Sequence, residues 1–183
     1  MADPDIFVRP ARATDYDGLC QVIAEVDALH REALPHIFRA ADAPVRDRAD
    51  VLSWIADEDI GLFVAEAAGE VIGFVQVVVR ESPPVPIFVP RRYAVVDSLA
   101  VKAAFRGSGG GRALMAWAEK WASSRGAGAI ELHVWEFNRD AIAFYERLGY
   151  ATASRRMRKS LAPVELAGGH ECIGIEALAG FCA

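Results

Sequence analysis

Arg106, Gly107, Ser108, Gly109, Gly110, Gly111 and Arg112 follow one another in the stretch FRGSGGGRAL. The stretch lies between an apolar run with strand character and a run with helical spacing. Glycine loses the most freedom on ordering, so a cluster of it marks backbone that turns sharply or comes close to something. A strand, a glycine loop and then a helix is an arrangement suited to anions. The helix N-terminus offers unpaired N–H groups and partial positive charge. Successive N–H groups in a glycine loop converge into a concave nest. Two arginines add formal charge, so a phosphorylated ligand fits better than a neutral one. The Walker pattern is excluded because no Gly-Lys-Ser/Thr follows. The dinucleotide pattern fails beyond Gly109 and Gly111. The pattern that fits is R-x-x-G-x-G, on Arg106, Gly109 and Gly111. Alone it is short and weak, and a turn that merely packs strand on helix is the plain alternative.

The elements around the loop must position it. Ile6–Arg9 is a short strand, and Asp15–Leu29 has Leu19, Val22, Ile23 and Val26 at helical spacing after the possible cap Thr14. His30 to Asp47, with Pro35 and Pro44, has the character of a loop with a partial helix. Arg46–Asp57 forms a second helix. Leu62–Ala67 and Val71–Arg80 pair as a hairpin across Ala68-Gly69-Glu70. Glu81–Arg92 holds four prolines and is irregular. Tyr93–Val101 is a strand and Arg112–Ser124 a helix. Ala129–Trp135 is a strand, and a helix starting at Asn138 or Asp140 runs to Leu148, stopped by Gly149. Ala151–Leu161 is a last strand. The expected order is β-α-α-β-β-β-α-β-α-β. This is a mixed α/β (α+β) domain with antiparallel strands first and a βαβ unit later. It spans residues 1–161, and 162–183 form an extension of unknown role.

The chain has 183 residues, enough for one domain with a sizeable core. Its net charge of −5 argues against a general nucleic-acid binder. Cys20, Cys172 and Cys182 are far apart and lack metal-ligand spacing, so neither a disulfide framework nor a zinc site is expected. No apolar run has the length of a membrane span, and the N-terminus lacks a signal-peptide layout. The expectation is a cytoplasmic protein with no metal, no membrane partner and no nucleic-acid partner.

The stretches VVDSLAVKAAFRGSGGGRALMAWAEKWA and IELHVWEFNRDAIAFYERLGY resemble the Gcn5-related N-acetyltransferase superfamily. The matched pieces are L-A-V before the loop, R-x-x-G-x-G within it, and N-x-x-A-x-x-F-Y-x-x-L-G-Y after it. The likeness is strong over Tyr93–Leu161 and extends in element order back to Ile6. It implies the corresponding fold, with a mostly antiparallel central sheet flanked by helices. It implies acetyl-CoA as the donor and a primary amine as the acceptor, in direct attack within a ternary complex. It implies that the backbone from Arg106 to Arg112 holds the pyrophosphate. It further implies that the strand with Leu99, Ala100 and Val101 carries a β-bulge and splays from the next parallel strand. Free backbone groups, chiefly at Leu99 and Val101, would then meet the pantetheine arm.

The chemistry gives further residues their roles. An acceptor amine with a pKa of roughly 10 is free base in only about one molecule in 10³ at neutral pH, equivalent to about 4 kcal/mol. A base or a water chain is therefore useful, and the leaving thiolate needs a proton. Tyr145, in the family's F-Y position, is the candidate acid, and a packing aromatic is its alternative. Asp97 is the candidate base, acting through water. Alternation places it on one face with Leu99 and Val101. Its alternatives are an exposed carboxylate or a partner of Arg91 or Arg92. Asn138 matches the family asparagine that contacts the cofactor arm or the following turn, and a helix N-cap is its plain alternative. Ser108 offers a hydroxyl to the phosphate or tolerates the turn.

Outside the motif, His30 and His36 either touch substrate or are solvated loop residues, the commoner case. Phe38, Ile87 and Phe88 suggest an apolar lid or a dimer contact. Arg155, Arg156, Arg158 and Lys159 form a basic run that protects an edge strand or attracts an acidic substrate. The tail from Ala162 is a family-specific extension, an oligomer contact or a segment added for expression. The function expected is N-acetyl transfer to a small or amino-acid-like amine. A protein N-terminal or lysine acetyltransferase and a non-catalytic acyl-CoA sensor are the alternatives.

Overall fold

Residues 60–81 form the middle of the sheet. β2 (Ile60–Ala67) and β3 (Glu70–Glu81) pair antiparallel, joined by Ala68 and Gly69 at φ 51° and 80°. Two central residues at positive φ match the right-handed twist of the flanking strands. Every residue from Val71 to Val77 is buried, as expected for a strand covered on both faces. β1 (Phe7–Pro10) pairs with β2, and β4 (Arg92–Val101) with β3, both antiparallel. β5 (Ile130–Leu132) joins β4 in parallel, giving the order β1-β2-β3-β4-β5. The computed structural model describes residues 5–40 and 46–159. The expected tail, Cys172, Cys182 and Pro44 lie outside them.

Helices cover both faces. α1 (Tyr16–Ala33) and α2 (Arg48–Ala56) place Leu19, Val22, Ile23 and Val51 against Leu62, Val64 and Phe74. α3 (Gly110–Ser124) and α4 (Arg139–Arg147) lie on the opposite side. There Leu114, Met115, Ala118 and Tyr145 pack with Ile72, Val75, Val77 and Val96. Each fully buried Leu or Val, such as Leu19 or Leu114, contributes about 1.5–3 kcal/mol of apolar burial.

The first helix starts differently from expectation. Asp15, not Thr14, organises the turn: its carboxylate accepts the Arg12 N–H at 2.7 Å and pairs with Arg9 at 2.7 Å. Arg9 also reaches Glu66 at 2.8 Å, so one guanidinium ties β1, β2 and the start of α1. Burial opposes ionisation of Asp15, but the Arg9 and Arg12 hydrogen bonds outweigh it and hold the carboxyl below its usual range. α1 continues to Ala33, four residues beyond the expected end, and takes His30 into the helix.

Two strand expectations change. β5 covers three residues where seven were expected, because its ladder with β4 ends at Val96–Leu132. The final strand is absent over residues 151–159, which are exposed and form no ladder. The basic run Arg155, Arg156, Arg158 and Lys159 therefore guards no sheet edge within the described residues. Among the described residues no helix is long and apolar enough to cross a membrane.

Candidate active site

The end of the β4–β5 ladder creates the site. Val96 pairs with Leu132, and beyond that point β4 continues to Val101 without a β5 partner. The two strands fork. On the other edge of β4, Gln76 faces Ser98 while Val77 faces Val96, so Asp97 is the extra residue of a bulge. The bulge also resets the alternation. Ala94, Val96, Leu99 and Val101 all pack toward the α3 cluster, whereas Ala100 packs toward α1. Counting by twos from Asp97 to Val101 therefore does not place them on one face, which corrects that expectation.

Asp97 belongs to the α1 side. Its Oδ2 lies 3.9 Å from an Arg80 nitrogen, and Arg80 shares its β3 face with Phe74, which packs under α1. Its expected alternative partners Arg91 and Arg92 pair elsewhere, with Glu131 and with Glu81 and Asp59. Asp97 Oδ1 is buried and has no hydrogen-bond partner. Burial pushes the carboxyl above the usual carboxylate range, against the opposing pull of Arg80 and His133. His133 stands one residue past Leu132, where the ladder ends, and acts on the charge of Asp97. Sequence reading passed over His133, because only the register of β5 brings it there.

Tyr145 sits on the other face. It is 4% exposed, in the cluster with Leu99 and Val101, and its ring meets Phe144 and Tyr150 at 5.2 and 5.8 Å. The packing role expected as its alternative is therefore real. The candidate base and the candidate acid thus flank β4 from opposite sides.

The glycine loop follows β4 directly. Gly107 and Gly109 adopt φ 81° and 91°, a region costly for residues with a Cβ. A Cβ at either position would meet no atom within 4 Å, so backbone conformation rather than crowding selects glycine. Gly109 is the N-cap of α3 and supplies no side-chain cap to its first turn. Gly110 and Gly111 open the helix, two residues earlier than expected. Gly110 is buried, and Gly111 lies where a Cβ would come 3.4 Å from Phe144. Arg106 and Arg112 are exposed. Arg106 Nε donates to the Val101 carbonyl at 3.2 Å, so that carbonyl, expected to be free, is engaged. Ser108 Oγ donates to the Phe105 carbonyl at 2.6 Å and serves the turn. Asn138 Oδ1 accepts the Ala141 N–H at 3.2 Å and caps α4.

Near the fork, α1 and the segment after β5 meet through aromatic rings. His30 contacts Phe38 at 5.2 Å and Phe137 at 5.7 Å, and Phe38 contacts Trp135 at 5.8 Å. His30 is therefore a buried helical residue and not a solvated loop histidine, while His36 is exposed. Phe38 packs in this group, whereas Ile87 and Phe88 are exposed in the proline loop, 85% and 50%.

The chain resembles proteins of one kind. It is 41% identical over 103 residues to a mycothiol acetyltransferase of Amycolatopsis mediterranei, covering 56% of this chain and 34% of that protein. It is 38% identical over 94 residues to an uncharacterized N-acetyltransferase of Methanocaldococcus jannaschii, covering 51% and 40%. The matched stretch thus spans less than half the length of either relative. Among solved structures, a mutant of the BH1408 protein from Bacillus halodurans superposes with TM-score 0.81 at 24% identity, over 85% of this chain and 99% of that one. An aminoglycoside 6'-N-acetyltransferase of Acinetobacter haemolyticus gives TM-score 0.66 at 14% identity, over 86% and 99%. These two show the shared fold. The acetyltransferase (GNAT) family model matches residues 23–150, which hold both arms of the fork, the glycine loop and α4, and the chain belongs to that family.

Proposed function

We propose that this chain transfers an acetyl group from acetyl-CoA to a primary amine of a small molecule. The observation that carries the reading is the fork beyond Val96–Leu132, which leads into a glycine loop ending at the uncapped N-terminus of α3. The loop suits a pyrophosphate: Gly107 and Gly109 leave open space where side chains would stand, and two exposed arginines flank the loop. The unpaired edge of β4 suits the amide groups of a pantetheine arm. Bound there, acetyl-CoA supplies an activated acetyl thioester.

The chain's own residues position the partners and handle protons. Asp97, held at the fork with one oxygen unsatisfied, takes the ammonium proton, directly or through water. A carboxyl raised by burial is a stronger base than an ordinary one, which suits this work. Tyr145 returns a proton to the departing thiolate from the α3 side. Holding amine and thioester in line between the two faces supplies much of the remaining acceleration.

Calorimetric titration of acetyl-CoA tests the reading, with Gly109→Val beside the wild type. Binding in the micromolar range, weakened at least about tenfold by the variant, is expected, because a β-branched residue at φ 91° forces the loop to rearrange. A folded wild type that binds no acetyl-CoA would sink it.

A further inference from the structure

Among the described residues, three buried side-chain polar atoms have no hydrogen-bond partner: Asp27 Oδ2, His30 Nε2 and Asp97 Oδ1. Native interiors leave few such atoms, and each costs about 1–3 kcal/mol, so each calls for a reason. All three are acceptors. The carboxylate oxygens accept when ionised. His30 Nδ1 lies 2.8 Å from the Val26 carbonyl, which can only accept, so Nδ1 carries the proton in the neutral ring. Nε2 then presents a lone pair, on a residue that is 5% exposed.

These atoms stand on the α1 side of the fork. Asp27 is one turn before His30 on the same helix, and Asp97 lies on the sheet face that α1 covers. The His30 ring is walled by Phe38 and Phe137, the latter from the segment that continues past β5. A ligand that satisfies this wall brings hydrogen-bond donors and an apolar body that fits between rings. Aromatic faces favour a cation over an anion. Arg80 and His133 act on Asp97 as positive groups, and Arg80 is directed at its Oδ2. A carboxylate or phosphate on the ligand would meet acceptors and carboxylates.

We propose that the acceptor is a linear diamine or polyamine. One amino group reacts beside Asp97, and a second is held as an ammonium by His30 Nε2 and Asp27 within the aromatic wall. This rests on the acetyltransferase reading above and narrows it: the second amino group, not an amino-acid carboxylate, is the recognised feature.

The test is steady-state acetylation by the full chain at saturating acetyl-CoA, followed as free thiol. The acceptors are a linear pentane diamine, pentylamine and aminohexanoate, three chains that differ in what the far end carries. The diamine should exceed pentylamine in kcat/KM by about tenfold or more, the effect of a charge-assisted hydrogen bond and well above its twofold statistical advantage. Aminohexanoate should be the poorest. His30→Phe keeps a ring in the wall and removes Nε2, and it should cut the diamine advantage to about the statistical factor while acetyl-CoA binding is kept. If that variant does not fold, Asp27→Asn carries the same expectation more weakly. Equal rates for diamine and pentylamine, preference for aminohexanoate, or a diamine advantage that survives a folded His30→Phe overturns the inference. With acetyl-CoA bound and some amine acetylated, those outcomes leave the acetyltransferase reading standing. Loss of acetyl-CoA binding in the wild type removes both.

Discussion

The two faces of the sheet are finished to different standards. Under α3 and α4 the cluster around Leu114, Met115 and Val77 is apolar, and among the described residues none of the unsatisfied buried atoms lies in it. The α1 side has its own apolar floor of Leu19, Val22 and Phe74. Near the fork, however, Asp27, His30 and Asp97 keep acceptors without partners. An evolved core seldom leaves such costs in place where they serve only packing. The contrast separates a face that holds the sheet together from one that trades stability for an unsatisfied surface. Tyr145 complicates the division, since it is buried in the closed face and yet borders β4 at the fork.

Substitutions can break or sharpen this division. The largest effect is expected from Leu114→Ala, which deletes a fully buried side chain from the closed face and should cost about 2–5 kcal/mol in chemical denaturation. A loss below about 1 kcal/mol would mean that this face is loosely packed. Tyr145→Phe comes next. It keeps the ring contacts and removes the hydroxyl, so turnover should fall about hundredfold while acetyl-CoA affinity holds. Normal turnover would return Tyr145 to a packing role and make the closed face purely structural.

Asp97→Asn should move two quantities in opposite directions. The folded protein raises this carboxyl above its unfolded value, so wild-type stability is fully present below the unfolded pKa and declines as pH rises through the folded one. The Asn variant, which cannot ionise, should be the more stable protein at neutral pH and lose that advantage in acid. Its pH–rate profile should lack the acidic limb that the wild type shows above the ordinary carboxylate range. Matching stability at both pH values, or an intact limb, would remove Asp97 as the base. Ser108→Ala should be the mildest change, about 0.5–1.5 kcal/mol for one turn hydrogen bond to Phe105, with little change in acetyl-CoA affinity. A large affinity loss would place the hydroxyl on the phosphate instead.

Much of the framework was legible in the residues. The hairpin at Ala68-Gly69, the glycine loop between β4 and α3, and the Asn138 cap of α4 all form where local chemistry puts them. Each rests on neighbours within a few positions: a turn needing positive φ, a helix start, a side chain reaching three residues ahead. The pieces of the family motif likewise lie close together in the chain, between Leu99 and Tyr150. His30 was not legible, because its environment comes from Phe38 and from Phe137, which is more than a hundred residues away along the chain.

The residue pattern by itself determined most of the elements, their order and the location of the glycine turn, since propensity, periodicity and glycine conformation act locally. Tertiary structure decided where the β4–β5 ladder stops, which residue bulges and which side of the sheet each candidate occupies. Those outcomes depend on pairing register, and one extra residue at Asp97 shifts every later side chain to the opposite face. They also depend on which buried polar atoms find partners, a matter settled only when α1, β4 and the segment after β5 come together.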